Sequence, residues 1–220
     1  MIQLTDVNKI YKGALFETHA LKDINLTIQK GDFVVITGES GSGKTTLLNL
    51  LGGVDVATTG SIVIDGIDIT SNKAKEMDQF RKQYISFVFQ HFALMERYTV
   101  YENLEAPMLA RNIKAKIRKE KINQISSQLG IGELMNQYPS QISGGQKQRV
   151  AIARTLVVDS PIVLADEPTG ALDSVNTRNV MEIMRSVHSN DKITIIITHD
   201  PVVASYADYV IQLSDGQILR

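Results

Sequence analysis

Four apolar residues, Phe33-Val34-Val35-Ile36, stand one position ahead of Gly38-Glu39-Ser40-Gly41-Ser42-Gly43-Lys44-Thr45, and apolar residues resume at Leu47. An unbroken apolar run suits a strand covered on both faces. The eight residues after it match G-x-x-x-x-G-K-[ST]. In that motif glycines let the backbone wrap a phosphate with its N–H groups turned inward, and the next helix N-terminus adds partial positive charge. Strand, loop and helix in this succession restrict the chain to an α/β fold with a phosphate-binding core. On this reading Gly38, Ser40, Gly41, Ser42, Gly43 and Thr46 form the phosphate site. Lys44 reaches the β- and γ-phosphates, and the Thr45 hydroxyl holds Mg²⁺.

A second buried run, Ile162-Val163-Leu164-Ala165, ends in Asp166-Glu167-Pro168. Strand C-termini line the ligand crevice of parallel α/β sheets. Asp166 is positioned to hold Mg²⁺ through its water shell. Glu167, next along, points differently, and can polarise an attacking water as general base. A base there favours hydrolysis over phosphoryl transfer to an organic acceptor.

The chain has 220 residues and 43% apolar content, enough for one large domain. Its 23 basic and 24 acidic residues nearly cancel, which argues against nucleic-acid binding by bulk charge. The absence of cysteine excludes disulfides and fits a reducing compartment. The N-terminus lacks the pattern of a signal peptide, and no apolar run approaches the roughly 20 residues of a membrane span. A membrane function therefore requires another chain.

Alternation predicts strands over 2–11 and 21–30, and a hairpin over 61–69 turning at Asp65-Gly66. Helices are expected over 45–51, capped by Gly52-Gly53, and over 71–82. A strand over 84–89 leads to Gln90. Residues 99–137 are helical in pattern and read as a lobe inserted into the α/β core. Beyond it come a helix from Gln146 to about Val158, a helix over 176–189, a β-branched strand over 193–198, and a closing hairpin around Asp215-Gly216.

Ile142-Ser143-Gly144-Gly145-Gln146 opens an apolar helix shortly before the acidic pair. ISGGQKQRVAIAR (142–154) resembles the signature of ATP-binding cassette (ABC) ATPases, usually written LSGGQ. The resemblance covers essentially the whole chain, with motifs in family order. It implies a single domain over 1–220: a P-loop NTPase (RecA-like) core with an antiparallel β subdomain, from 1–90 and 155–220, and a helical subdomain with the signature, 91–154. It further implies that Tyr11 stacks on adenine, that Gln90 touches Mg²⁺ and the water, that Asp173 communicates across a dimer, and that His199 bonds the γ-phosphate. His19, His91 and His188 carry no such expectation. Ser143, Gly144, Gly145 and Gln146 form an anion site at a helix N-terminus. In the family this site closes over the ATP of a second cassette, so a single cassette implies a homodimer or a paired subunit. Ile142 replaces the usual leucine, and a small packing change is expected.

ITGESGSGKTTLLNLLGGVD, FVFQHFALMERYTVYENL and LADEPTGALDS resemble, within the family, macrolide exporters, lipoprotein-release systems and antimicrobial-peptide transporters. The resemblance implies an ATPase on the cytoplasmic face of the membrane, driving an integral membrane subunit to export or extract a hydrophobic or peptide substrate. An adaptor (membrane-fusion) protein is a further partner it allows, and nucleic acid is not a partner. The end at Arg220 leaves no room for the C-terminal regulatory domain of some importer cassettes. A cell-division cassette regulating a membrane partner without transport stays open, and a phosphate-loop kinase is disfavoured by the signature and Glu167. The partner's coupling helix is expected near Gln90–Val100, with Phe92 and Leu94 as probes. The basic segment Arg111–Lys121 reads as a solvated helix face or, alternatively, as a contact for anionic lipid or an acidic patch of the partner.

Overall fold

The computed structural model describes residues 1–13, 16–70 and 74–219. Strands β1 (Ile2–Lys12) and β2 (Glu17–Ile28) pair antiparallel. Strand β3 (Phe33–Thr37) belongs to a different sheet, and β4 (Thr59–Ile64) and β5 (Ile67–Asp68) rejoin the first, in the order β2-β1-β4-β5. The larger sheet has the order β10-β9-β3-β8-β7-β6. In it β6 (Ile85–Val88), β7 (Ile162–Asp166), β8 (Ile193–Ile197) and β9 (Tyr209–Ser214) run parallel with β3, and β10 (Gln217–Leu219) is antiparallel to β9.

β3, β7 and β8 at the centre of the larger sheet are buried on both faces, which is why they read as apolar runs without polar alternation, whereas β9 and β10 are largely exposed. Val34, Ile36, Ile162, Leu164, Ile193 and Ile195 enter one core. Helix α1 (Lys44–Leu51), helix α2 (Ala74–Tyr84) and Ile2, Leu4 and Leu21 of the smaller sheet complete it. Phe33, Val35, Val163, Ala165 and Ile196 point the other way, into a core covered by α3 (Val100–Ala110), α4 (Ala115–Gln128), α5 (Gly144–Leu156), α6 (Ser174–Val187) and α7 (Pro201–Ala204). Each fully buried aliphatic side chain contributes about 1.5–3 kcal/mol.

The starts of α3, α5, α6 and α7 follow capping chemistry. Thr99 and Glu102 form a capping box on α3, Ser143 and Gln146 another on α5, and Asp173 and Asp200 cap α6 and α7. These caps move two boundaries from their expected places. α5 begins at Gly144 rather than after Gln146, and α6 at Ser174 rather than at residue 176. The expected strand over 84–89 is shorter: Tyr84 closes α2, and β6 ends at Val88. β2 starts earlier than its alternation indicates and ends at Ile28. Of the helix expected over 71–82, Ser71, Asn72 and Lys73 lie outside the described residues.

One carboxylate joins α4 to the sheet. Asp159 accepts from Lys121 Nζ at 2.8 Å and meets Lys192 Nζ, just before β8, at 2.5 Å. Burial pushes its carboxyl up, but the two lysines more than offset this and hold it at about 2, below the ordinary 3.8. A depressed carboxylate contributes stability that is complete above its unfolded value and lost as pH falls through the folded one. Asp159→Asn is therefore expected to lower the melting temperature near neutral pH by roughly 1–4 °C, since the group is half exposed and screened. The gap to the parent should close between about pH 4 and pH 2, as thermal denaturation across that range will test.

Candidate nucleotide site

The C-terminal ends of the parallel strands bring four loops together: residues 38–43 after β3, Gln90 after β6, Glu167 after β7, and Thr198-His199 after β8. They bound an open cleft of about 960 Å³, reached also by Tyr11 from β1 and by Thr18 and Ala20 from β2.

Packing dictates the glycine loop. Gly38 and Gly43 have φ of +153° and +101°. A Cβ on Gly38 would meet the Leu213 carbonyl at 2.1 Å, and one on Gly43 the Ala20 carbonyl at 2.4 Å. The loop is thus wedged between β9 and β2. Gly41, with φ of +82°, has open space where a Cβ would stand, so its requirement is conformational. Lys44 Nζ donates to the carbonyls of Gly38 at 2.9 Å and Glu39 at 2.7 Å, which folds the ammonium over its own loop. Ser40, Lys44, Thr45 and Thr46 line the cleft. Ser42 does not: it is buried behind the loop, where its carbonyl accepts from Gly216 N at 3.0 Å.

The Thr45 hydroxyl donates to Asp166 Oδ2 at 3.0 Å, and Gln90 lines the same cleft. Burial raises the Asp166 carboxyl above its ordinary range; the Thr45 bond opposes this, and the Glu167 charge adds to it. A desolvated carboxylate beside a hydroxyl, open to a cleft, is an oxygen donor set that fits Mg²⁺.

Glu167 turns the chain at φ of +47°, an uncommon conformation for a residue with a side chain, and its N–H donates to Ile197 O at 2.9 Å. Its Oε2 accepts from Thr198 Oγ1 at 3.1 Å, and Oε1 lies 2.7 Å from His199 Nδ1. A carboxylate can only accept, so the proton of that pair sits on Nδ1. Thr198 is fully buried and also accepts from Asp200 N at 3.0 Å.

The signature residues lie elsewhere: Ser143, Gly144, Gly145 and Gln146 do not line the cleft. Ser143 Oγ accepts from Gln146 N at 3.3 Å, and Ser143 N donates to Gln146 Oε1 at 2.8 Å. Nothing lies within 4 Å of a Cβ built on Gly144, whereas one on Gly145 would stand 3.5 Å from Ala171 O. Asp173 is exposed and spends its carboxylate on the N–H groups of Val175 and Asn176 at 3.0 and 2.9 Å. Ile142 is buried with extended backbone, φ −116° and ψ 152°, a conformation that suits a β-branched residue.

Several residues escaped the sequence reading. Thr198 orients Glu167. Arg154, on the signature helix, donates to Phe92 O at 2.9 Å and to Ala93 O, holding two residues with φ of +57° and +47° just after Gln90. Buried Asn103 bonds both the N–H and the carbonyl of Met95, at 2.8 and 3.1 Å. An Asn inside an apolar helix was the available signal for that contact; Arg154 and Thr198 had none. His91, given no role from sequence, also lines the cleft. His188 bridges Thr194 Oγ1 and Gly31 O at 3.0 and 2.9 Å, a structural role, and His19 is exposed on β2.

The family model described as ABC transporter matches residues 21–170. The bacitracin export ATP-binding protein BceA of Halalkalibacterium halodurans is 43% identical over 219 residues, covering 99% of this chain and 87% of that one. The macrolide export ATP-binding/permease protein MacB of Aggregatibacter actinomycetemcomitans is 41% identical over 219 residues, covering 100% of this chain and 34% of that longer protein. The dimeric structure of the cassette MJ0796 superposes with a TM-score of 0.94 at 39% identity, covering 100% of this chain and 97% of that one. A dimeric post-hydrolysis state of MJ0796 bound to ADP and Pi gives 0.93 at 38% identity, with the same coverage. The chain belongs to the ABC transporter family and is an ATP-binding cassette with ATPase activity.

Gly43→Ala is expected to abolish measurable ATP binding and to lower the melting temperature, because the backbone is left-handed and a carbonyl occupies the methyl's place. Isothermal titration with ATP and a thermal melt of the same sample check both.

Proposed function

We propose that this cassette hydrolyses ATP as a homodimer and drives a separate membrane subunit that exports or extracts a hydrophobic or peptide antimicrobial. One observation carries the hydrolytic reading: Glu167, bonded by Thr198 at 3.1 Å and His199 at 2.7 Å, opens on the same cleft as the phosphate loop. A carboxylate held at both oxygens keeps one orientation, as a general base must. Lys44 and the loop N–H groups orient the phosphates, Tyr11 receives the adenine, and Glu167 takes the proton of the attacking water while His199 steadies the γ-phosphate. Thr45, Asp166 and Gln90 would hold Mg²⁺, which when bound compensates the charge of the phosphates.

The separation of Ser143–Gln146 from the cleft supports the dimer. A helix N-terminus with an open glycine face suits an anion, and the phosphates of a second copy are the matching partner. Asp173, beside it, would report across that interface. We read the chain as one domain in which 91–154 is the helical lobe and 1–90 with 155–220 the core and β subdomain. Among the described residues no helix is long and apolar enough to cross a membrane. The likeness to export ATP-binding proteins supports a membrane subunit as partner and a place at the cytoplasmic face.

For the partner's coupling helix, a groove of about 250 Å³ lined by Phe89, Ala93, Pro107, Arg111 and Val158 is the best seat. Leu94 packs against the lobe's core, so Phe89, 39% exposed, is the better crosslinking position. The basic segment also divides. Arg111 bonds Ile85 O and Ser160 Oγ at 3.0 and 2.8 Å, Arg118 bonds Glu105 at 2.8 Å, and Lys121 bonds Asp159. Within this segment only Lys114, Lys116 and Lys119 remain for a lipid or partner contact. The choice of an antimicrobial cargo rests on likeness to exporters of bacitracin and macrolides.

Glu167→Gln is expected to keep ATP affinity, to slow turnover by about 10²–10⁴-fold and to accumulate a dimer with ATP. Phosphate release and size-exclusion chromatography with ATP read these outcomes; normal turnover sinks the general-base role. Lys44→Ala is expected to lose nucleotide affinity, measured by the same titration.

A further inference from the structure

The base-facing end of the cleft contains a cluster that the phosphate chemistry does not use. Tyr11 OH donates to Asp55 Oδ2 at 2.7 Å. Lys9 Nζ donates to Asp55 Oδ1 at 2.6 Å and to Val56 O at 2.8 Å. The same ammonium stands 4.7 Å from the centroid of the Tyr11 ring. Lys9 is only 9% exposed, so its charge is removed from water and held by these contacts. A cation at that distance over a phenol face is attracted by the ring quadrupole.

The cluster connects parts of the molecule that the sheets keep separate. Tyr11 and Lys9 belong to β1 in the smaller sheet, whereas Asp55 lies on the connection from α1, the helix of the phosphate loop, to β4. The pairing of β1 with β2 shifts register between Lys9 and Ile10, so the strand does not by itself set the direction of the Tyr11 ring. Ile10 N donates to Thr58 Oγ1 at 2.9 Å and Thr58 N to Asn8 O at 2.8 Å, which binds the strand end to that same connection. Burial pushes the Asp55 carboxyl up, but the bonds from Lys9, Tyr11 and Val56 N–H outweigh it and hold it below its ordinary range. The acceptor stays ionised at neutral pH.

We propose that Lys9 and Asp55 are positioning residues for base recognition: they fix the plane of the Tyr11 ring, occupy one of its faces so that the base is received on the other, and hold that platform at a set distance from the phosphate loop. The inference rests on the reading of Tyr11 as the adenine platform. A tyrosine at 42% exposure with no tether would have to be ordered on binding, whereas a tethered ring is already in place. The ordering cost of one mobile side chain corresponds to roughly three- to tenfold in affinity. That advantage applies to ligands carrying a base and not to a bare polyphosphate, which separates positioning from general stabilisation.

The test is equilibrium titration of the full chain with Mg²⁺ and either ATP, CTP or inorganic triphosphate, on Tyr11→Phe, Asp55→Asn, Lys9→Gln, Tyr11→Ala and the double variant Asp55→Asn/Tyr11→Ala. Tyr11→Phe keeps the ring and removes the hydroxyl's bonds to Asp55 and to Thr46, so it stays informative if Asp55→Asn folds poorly, and Lys9→Gln leaves the Thr46 contact in place. The first three variants are expected to weaken ATP roughly three- to tenfold, to narrow the preference for ATP over CTP, and to leave triphosphate affinity within about twofold. Tyr11→Ala should weaken ATP further, and Asp55→Asn should add nothing in that background, since its effect passes through the ring. The proposal is overturned if Asp55→Asn weakens ATP and triphosphate alike, or weakens ATP equally with and without the Tyr11 ring. If Tyr11→Ala weakens ATP while Tyr11→Phe, Asp55→Asn and Lys9→Gln do not, positioning fails and the stacking role stands. If Tyr11→Ala changes neither ATP affinity nor base preference, the stacking role itself fails.

Discussion

The phosphate loop owes its shape to two contacts too close for any side chain, Gly38 against the Leu213 carbonyl and Gly43 against that of Ala20. They wedge the loop between β9 of the larger sheet and β2 of the smaller one. Gly216 N, on the turn from β9 to β10, reaches Ser42 O at 3.0 Å, and Gly216 O receives Lys22 N at 2.8 Å. The cleft therefore has a rigid floor made by three distant segments. Close packing behind Gly38 and Gly43 leaves the back of the loop no volume to relax into, and a loop fixed there needs less reorganisation to present its N–H groups.

Around that floor, the responsive parts are held by side chains from other elements. Glu167 is turned outward by a strained backbone and oriented by Thr198 and His199. The segment after Gln90 is pinned through its carbonyls by Arg154 of the helix that the signature caps. Arg154 thus ties the signature helix to the loop beside the cleft within one chain, and Gln148 of the same helix lines the cleft itself.

Much of this was legible beforehand. The phosphate loop, the acidic pair and the signature have local meaning: glycines at fixed intervals, carboxylates at a strand end, a capping Ser followed by Gln. Their elements appear where the patterns put them, apart from boundaries set by caps. The misread details were those a linear pattern cannot carry. Ser42 sits inside a phosphate motif but is buried and does not line the cleft, because the turn of the loop and not its composition decides which residue is exposed there. His91, in an unremarkable loop, lines the cleft next to two residues whose carbonyls Arg154 holds. Arg118 looked like one more charge in a basic run, yet its guanidinium belongs to Glu105.

Sequence alone determined the kind of chemistry and the kind of sheet, since phosphate binding and two-sided burial each demand particular residues within a few positions of one another. Only the tertiary structure decided which side chains orient the reacting groups. Thr198, Arg154, Lys9 and Asp55 act through hydrogen bonds and charge contacts of a few ångströms, each with a partner distant in sequence. The strength of such contacts depends on distance and burial, and neither quantity exists until the chain has folded.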